Sequence, residues 1–184
     1  MAKSVEGQFD RLKSLKHYIV LATVSPKTYQ KTNLQIIKHF VGKENIPGVY
    51  VTLNKPFSTV KEILEKNKIN TRMLIFIDAV TKQVYEKPKK TNECLFIGNP
   101  ENLSDISIAM DQAVCSLPAE KFVFFDSLNT LLIYNEPIVV ARFIHFLSGK
   151  MRAWKVRGII ISLEKSNKEL ISELMQFCDK KFDF

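Results

Sequence analysis

The sequence predicts an α/β fold, a three-layer sandwich around a mainly parallel central sheet. Two periods alternate along the chain, and that alternation carries the prediction. Short apolar runs, β-branched or aromatic and nearly continuous, read as strands buried on both faces of a parallel sheet. Segments with apolar residues at helical spacing separate them, as right-handed strand–helix–strand crossovers require.

The strand runs are His17–Thr23, Gly48–Leu53, Met73–Asp78, Cys94–Gly98, Phe122–Asp126 and Gly158–Leu163. Leu34, Ile37 and Val41 mark a helix after the first strand, and Val60, Ile63 and Leu64 one after the second. A longer stripe of Leu103, Ile106, Met110, Ala113 and Leu117 follows Asn99-Pro100, a cap and first turn. Val140, Phe143, Ile144, Leu147 and Met151 form another. The last helix opens on Ser166-Asn167-Lys168-Glu169, the capping-box spacing, and carries Leu170, Leu174 and Phe177. The polar, basic segment 81–92, TKQVYEKPKKTN, reads as an exposed loop or hairpin.

The length of 184 residues suits one domain over residues 1–184, with residues 1–16 as an N-terminal extension. Apolar residues at 46% and thirteen Phe supply a core, and six Gly with seven Pro are too few for a linker-dominated chain. No apolar run approaches the roughly 20 residues that span a bilayer. The first residues lack the pattern of a secretory signal, so a cytoplasmic location without membrane contact is expected. Cys94, Cys115 and Cys178 are too scattered for a disulfide framework or a metal pair, and His17, His39 and His145 lack zinc-site spacing. No metal is expected. Lys+Arg 27 against Asp+Glu 19 gives a net charge of +8, which favours phosphates or an acidic partner. The bases are mostly lysine and spread along nearly every segment, so a solvated surface accounts for them equally well.

In an open α/β sheet, ligands sit beyond the carboxyl ends of the strands. The junction after the first strand, residues 25–32, has the spacing of the phosphate loop G-x-x-x-x-G-K-[ST], with Ser25 and Gln30 where glycines belong. Glycine there lets the backbone approach phosphate closely. Six Lys-Ser or Lys-Thr dipeptides occur in the chain, so only the position after the first strand singles out Lys31-Thr32. The runs ending at Asp126-Ser127 and at Asp78 both have the Walker B form, an apolar strand closed by an acid that holds Mg²⁺ or its water. A strand-end Asp that caps the next turn reads the same way.

From Phe122 onward, FVFFDSLNTLLIYNEPIVVARFIHFLSGKMRAWKVRGIIISLE resembles the Walker B half of archaeal RecA-superfamily, KaiC-like ATPases. The shared features are a strand into Asp-Ser-Leu, a short Leu-rich turn ending in Tyr-Asn, and a helix with Arg-Phe and Phe-Leu pairs. Residues 102–109 resemble the preceding helix, and residues 177–180 the end of short archaeal members. The resemblance implies a RecA/P-loop NTPase-like fold. It implies that Lys31 and Thr32 occupy the old phosphate-loop position, and that Asp126 with Ser127, not Asp78, marks Walker B. Both loop glycines are missing, and Asn54-Lys55 stand where that family carries acids that activate water. Asparagine cannot accept the proton, nor can a charged lysine.

The expectation is an ATPase fold without ATPase chemistry and without a cofactor. Its role would be regulatory or scaffolding, through a protein partner or through homo-oligomers. One alternative retains ATP and Mg²⁺ through Lys31, Thr32 and Asp126 without fast hydrolysis. Another is an accessory protein with weak, sequence-independent nucleic-acid binding. For that role, Lys150, Arg152, Lys155 and Arg157 surround the only tryptophan, Trp154, an arrangement suited to stacking a base and holding phosphates or a partner's acids. A buried Trp at the end of a helix with its bases in solvent reads the same way. Lys87, Lys89 and Lys90 around Pro88 are another candidate contact, and a solvated loop accounts for them as well. Asp126 is expected to tie its strand end to the following turn, while Tyr29 and Gln30 fill the vacated phosphate space or face a partner.

Overall fold

A computed structural model describes residues 4–85, 87–164 and 167–184. Seven strands form one sheet: β1 (Tyr18–Val24), β2 (Gly48–Thr52), β3 (Leu74–Asp78), β4 (Cys94–Phe96), β5 (Phe122–Asp126), β6 (Arg157–Leu163) and β7 (Lys180–Asp183). Their order is β4-β3-β2-β5-β6-β1-β7, and every pairing is parallel. All carboxyl ends therefore share one edge.

Helices cover both faces. On one side lie α1 (Val5–Asp10), α2 (Tyr29–Lys38) and α3 (Phe57–Lys66). On the other lie α5 (Leu103–Cys115), α6 (Leu128–Tyr134), α7 (Pro137–Ala153) and α8 (Lys168–Leu174), while α4 (Thr81–Val84) is a single turn after β3. Strand alternation divides β5 between the two cores. Phe122 and Phe124 pack toward α2 and α3, and Val123 and Phe125 toward α5 and α7. The same parity sends the Asp126 side chain to the α2 side.

Six strands lie where the apolar runs place them, within a residue or two. The seventh, β7, has only Phe182 buried and is otherwise polar, as befits an edge strand. Residues 4–16 contain α1, whose Phe9 packs on Phe40 and Phe182 with ring centroids 5.2 and 5.3 Å apart. The Leu-rich turn after β5 is the helix α6, and the stripe through Val41 runs from α2 into a π-helical turn, His39–Glu44. Neither Asn99 nor Pro100 opens α5. Asn102 is its N-cap and accepts from Asp105 N, while Asn99 closes the preceding turn by accepting from Glu101 N. Segment 81–92 begins with α4 rather than a hairpin, because Asp78 caps it. Ser166 lies outside the described residues, and Asn167 Oδ1 accepts from Glu169 N and Leu170 N to cap α8.

Two glycines set a packing test. A Cβ at Gly48 would come within 2.4 Å of the Phe122 ring, which is stacked on Phe40 at 4.8 Å and cannot retreat. At Gly149, exposed inside α7, a Cβ would meet nothing within 4 Å. Gly48→Ala should destabilise the protein by about 1–3 kcal/mol through overpacking. Gly149→Ala should stabilise it by about 0.5–1 kcal/mol by lowering backbone entropy in the unfolded chain. Urea unfolding of the two variants checks both signs.

Candidate functional site

The strand order sets β1 and β5 on either side of β6, so the segment after β1 and the acid ending β5 meet at one edge. Residues 25–28 form a tight turn. Ser25 N donates to Phe184 O at 3.1 Å, Thr28 N donates back to Ser25 O at 3.0 Å, and Pro26 has no N–H. Helix α2 then begins at Tyr29, so Gln30, Lys31 and Thr32 are already helical. A phosphate loop presents a run of free backbone N–H groups. Here that stretch is shortened, and two of its N–H groups are engaged within the protein.

Asp126 is 3% exposed. Tyr29 O–H donates to its Oδ1, and Tyr50 O–H, from β2, donates to Oδ2 at 2.8 Å. Asn54 Nδ2 donates to the Tyr29 phenol oxygen at 2.7 Å, so this side chain supports the phenol. Asn33, Lys55 and aliphatic residues of α2 and α3 complete the surroundings of a cavity of about 30 Å³. That is the volume of one water, too small for a nucleotide phosphate chain.

Burial raises the Asp126 carboxyl above the ordinary carboxylate range, and the Tyr29 and Tyr50 donors and the Lys55 charge pull it partly back. Burial and the Asp126 charge push both phenols above the usual tyrosine range, so they remain neutral donors. A raised folded-state pKa means that the folded protein binds this proton more tightly than the unfolded chain does. The resulting stabilisation is full below the unfolded value of about 3.9 and is lost as pH rises through the folded value.

The other predicted residues lie elsewhere. Lys31 is exposed and borders a separate depression with Lys27, Lys38 and Asn67. Thr32 is buried in α2 but does not line the cavity at Asp126. Ser127 is buried at the start of α6, and its carbonyl accepts from Thr130 N. Asp126 does not tie β5 to the turn that follows; its carboxylate reaches β2 and α2 instead. Tyr29 fills the space beside it, while Gln30 stays exposed. Asp78 accepts from Phe57 N, Val80 N, Thr81 N and the Thr81 hydroxyl, which accounts for it as a cap.

The basic cluster at the end of α7 is largely paired internally. Asp111 accepts from Lys150 Nζ at 3.0 Å and from Trp154 Nε1 at 2.9 Å, with Lys150 5.5 Å from the indole centroid. Arg152 makes two bonds to Asp179, which also accepts from Ile19 N. Arg157 donates to Glu44. Lys155, at φ 54°, ends α7 in the left-handed conformation, with its N–H on Arg152 O. Three of the four bases thus hold α7 and β6 to their neighbours. Tyr50 sits inside an apolar run that reads only as core, so nothing in the sequence assigns its phenol to Asp126. His39 is buried, with its Nε2 on Glu44 at 2.9 Å.

No family model matches the chain, and no curated protein matches its sequence. Among solved structures, the chain is similar to a KaiC-like protein of the hyperthermophilic archaeon Pyrococcus horikoshii OT3. The TM-score is 0.66 at 12% identity, over 91% of this chain and 73% of that one. At that identity the likeness is one of fold: the chain has the α/β architecture of a KaiC-like, RecA-type domain.

Removing the Asp126 carboxylate should leave two buried phenols without acceptors. Asp126→Ala is expected to cost about 2–4 kcal/mol at neutral pH, whereas Asp126→Asn, which keeps one acceptor and removes a buried charge, should cost much less. Denaturant unfolding of both variants distinguishes this from a solvated acid, for which the two costs would be equal and small.

Proposed function

We propose that the chain is a RecA/KaiC-like ATPase relative that has lost catalysis and acts as a regulatory or scaffolding protein through protein–protein contacts. The Tyr29 phenol on Asp126 carries this reading. An acid that serves Mg²⁺ must face an open phosphate site, and this one faces two tyrosines in a space for one water. The short turn at residues 25–28, the helical Lys31-Thr32 and the bond from Asn54 to Tyr29 support the same reading. No specific observation favours retained ATP, because Lys31 and Asp126 line different cavities. Weak nucleic-acid binding by Lys150, Arg152, Trp154 and Arg157 is likewise disfavoured by their internal pairing with Asp111, Asp179 and Glu44.

The contact surface we favour lies near the carboxyl edge. Ile133 is 76% exposed and Ile138 48%, beside Tyr134, whose O–H donates to Gln83 in α4, next to Val84 at 73%. Apolar side chains gathered in this way mark an interaction face more often than a solvated one. Among the described residues no helix is long and apolar enough to cross a membrane, which suits a protein partner or a second copy of this chain.

The purified protein should hydrolyse Mg-ATP no faster than the buffer background. The decisive assay is phosphate release with Lys31→Ala and Asp126→Asn alongside the unaltered chain. Turnover that disappears in either variant would overturn the reading.

A further inference from the structure

Two strands away from Asp126 along the sheet, a larger groove opens beyond the carboxyl ends of β3 and β4, with a volume of about 570 Å³. One wall is the start of α3, with Phe57 and Ser58, and the other is the segment after α4, with Tyr85, Lys87, Lys89 and Lys90. Segment 81–92 carries four lysines against one glutamate. Among the described residues no carboxylate lies within ion-pair distance of Lys87, Lys89 or Lys90, in contrast to Lys150, Arg152 and Arg157. The neighbouring Glu93 is taken by Lys61 at 2.5 Å, and Asp78 by its four donors. Pro56 offers no capping side chain to α3, and only the Phe57 N–H of its first turn is claimed by a side chain.

Tyr85, 65% exposed, and Phe96 add aromatic surface to the same groove. Cations clustered at one point suit a polyphosphate, and exposed rings beside them suit a planar base. The volume lies within the ordinary range for small-ligand pockets, about 300–1,000 Å³. A strand of nucleic acid needs bases strung along a track, whereas three of these lysines fall within residues 87–90.

We propose that this groove binds a free nucleotide, with Lys87, Lys89 and Lys90 on its phosphates and Tyr85 against its base. The site is independent of the region around Asp126, so it stands or falls separately from the loss of ATPase chemistry.

Calorimetric titration of the full chain with ADP and, separately, with inorganic pyrophosphate tests it at low salt. ADP should bind one to one at or below about 1 mM. The triple variant Lys87→Ala, Lys89→Ala, Lys90→Ala, with circular dichroism confirming its fold, should lose about tenfold or more for both probes. Tyr85→Ala should weaken ADP and leave pyrophosphate unchanged, since only ADP carries a ring. Lys31→Ala should alter neither. The proposal is overturned by an absence of ADP binding at millimolar concentration, or by full affinity in the triple variant. It is equally overturned by loss of binding in Lys31→Ala, or by an oligothymidylate that binds these lysines more tightly than ADP.

Discussion

A carboxylate buried at the carboxyl end of the central strand cannot be left alone. It must be hydrogen-bonded, paired or neutralised. In this protein β5 is the fourth of seven parallel strands, and strand parity turns Asp126 toward α2 and α3. The requirement is met by phenols from two elements, Tyr50 on β2 and Tyr29 at the start of α2. Those bonds pin the first turn of α2 to the sheet. They also fix the geometry of the turn before it, where Phe184, the residue after β7, takes the Ser25 N–H. Edge strand, turn, helix and central strand are thereby joined through one acid.

The same arrangement separates fold from chemistry. Open parallel sheets gather ligand sites at their carboxyl edge because strand ends and helix starts converge there. Three places along this edge illustrate different uses. At Asp126 the side chains close on one another. At Asp78 the acid caps the start of two helices, α3 and α4. Beyond β3 and β4 the groove remains open, and among the described residues no carboxylate pairs with its Lys87, Lys89 or Lys90, so an edge that is closed at one strand is still accessible at another.

Much of the architecture was legible in the sequence because buried parallel strands have a composition that leaves few alternatives. FVFFD and GIIISL read as central strands, and the stripes of α5 and α7 follow from spacing alone. What escaped has a physical reason in each case. KKFD contributes a single buried side chain to an edge strand, so its pattern is too weak to register. The Leu-rich stretch after Asp126 is short enough to read as a turn. At the site, the missing glycines and Asn54-Lys55 were visible as absences, but the partnership of Tyr29, Tyr50 and Asp126 spans 97 residues and depends on strand order. The internal pairing of the basic residues near Trp154 escaped for a related reason. Net charge of +8 says nothing of local pairing, and Asp111, Asp179 and Glu44 reach those bases from distant segments.

The central claim is that Asp126 is engaged inward by two phenols and is closed to a metal ion. The most direct measurement is the titration of its side-chain carboxyl carbon by NMR, with and without millimolar Mg²⁺, in the unaltered chain and in Tyr50→Phe. The account predicts a midpoint above the ordinary aspartate value, shifted further up when the Tyr50 donor is removed and indifferent to Mg²⁺. A midpoint at or below the ordinary value, insensitive to Tyr50 and lowered by Mg²⁺, would contradict it.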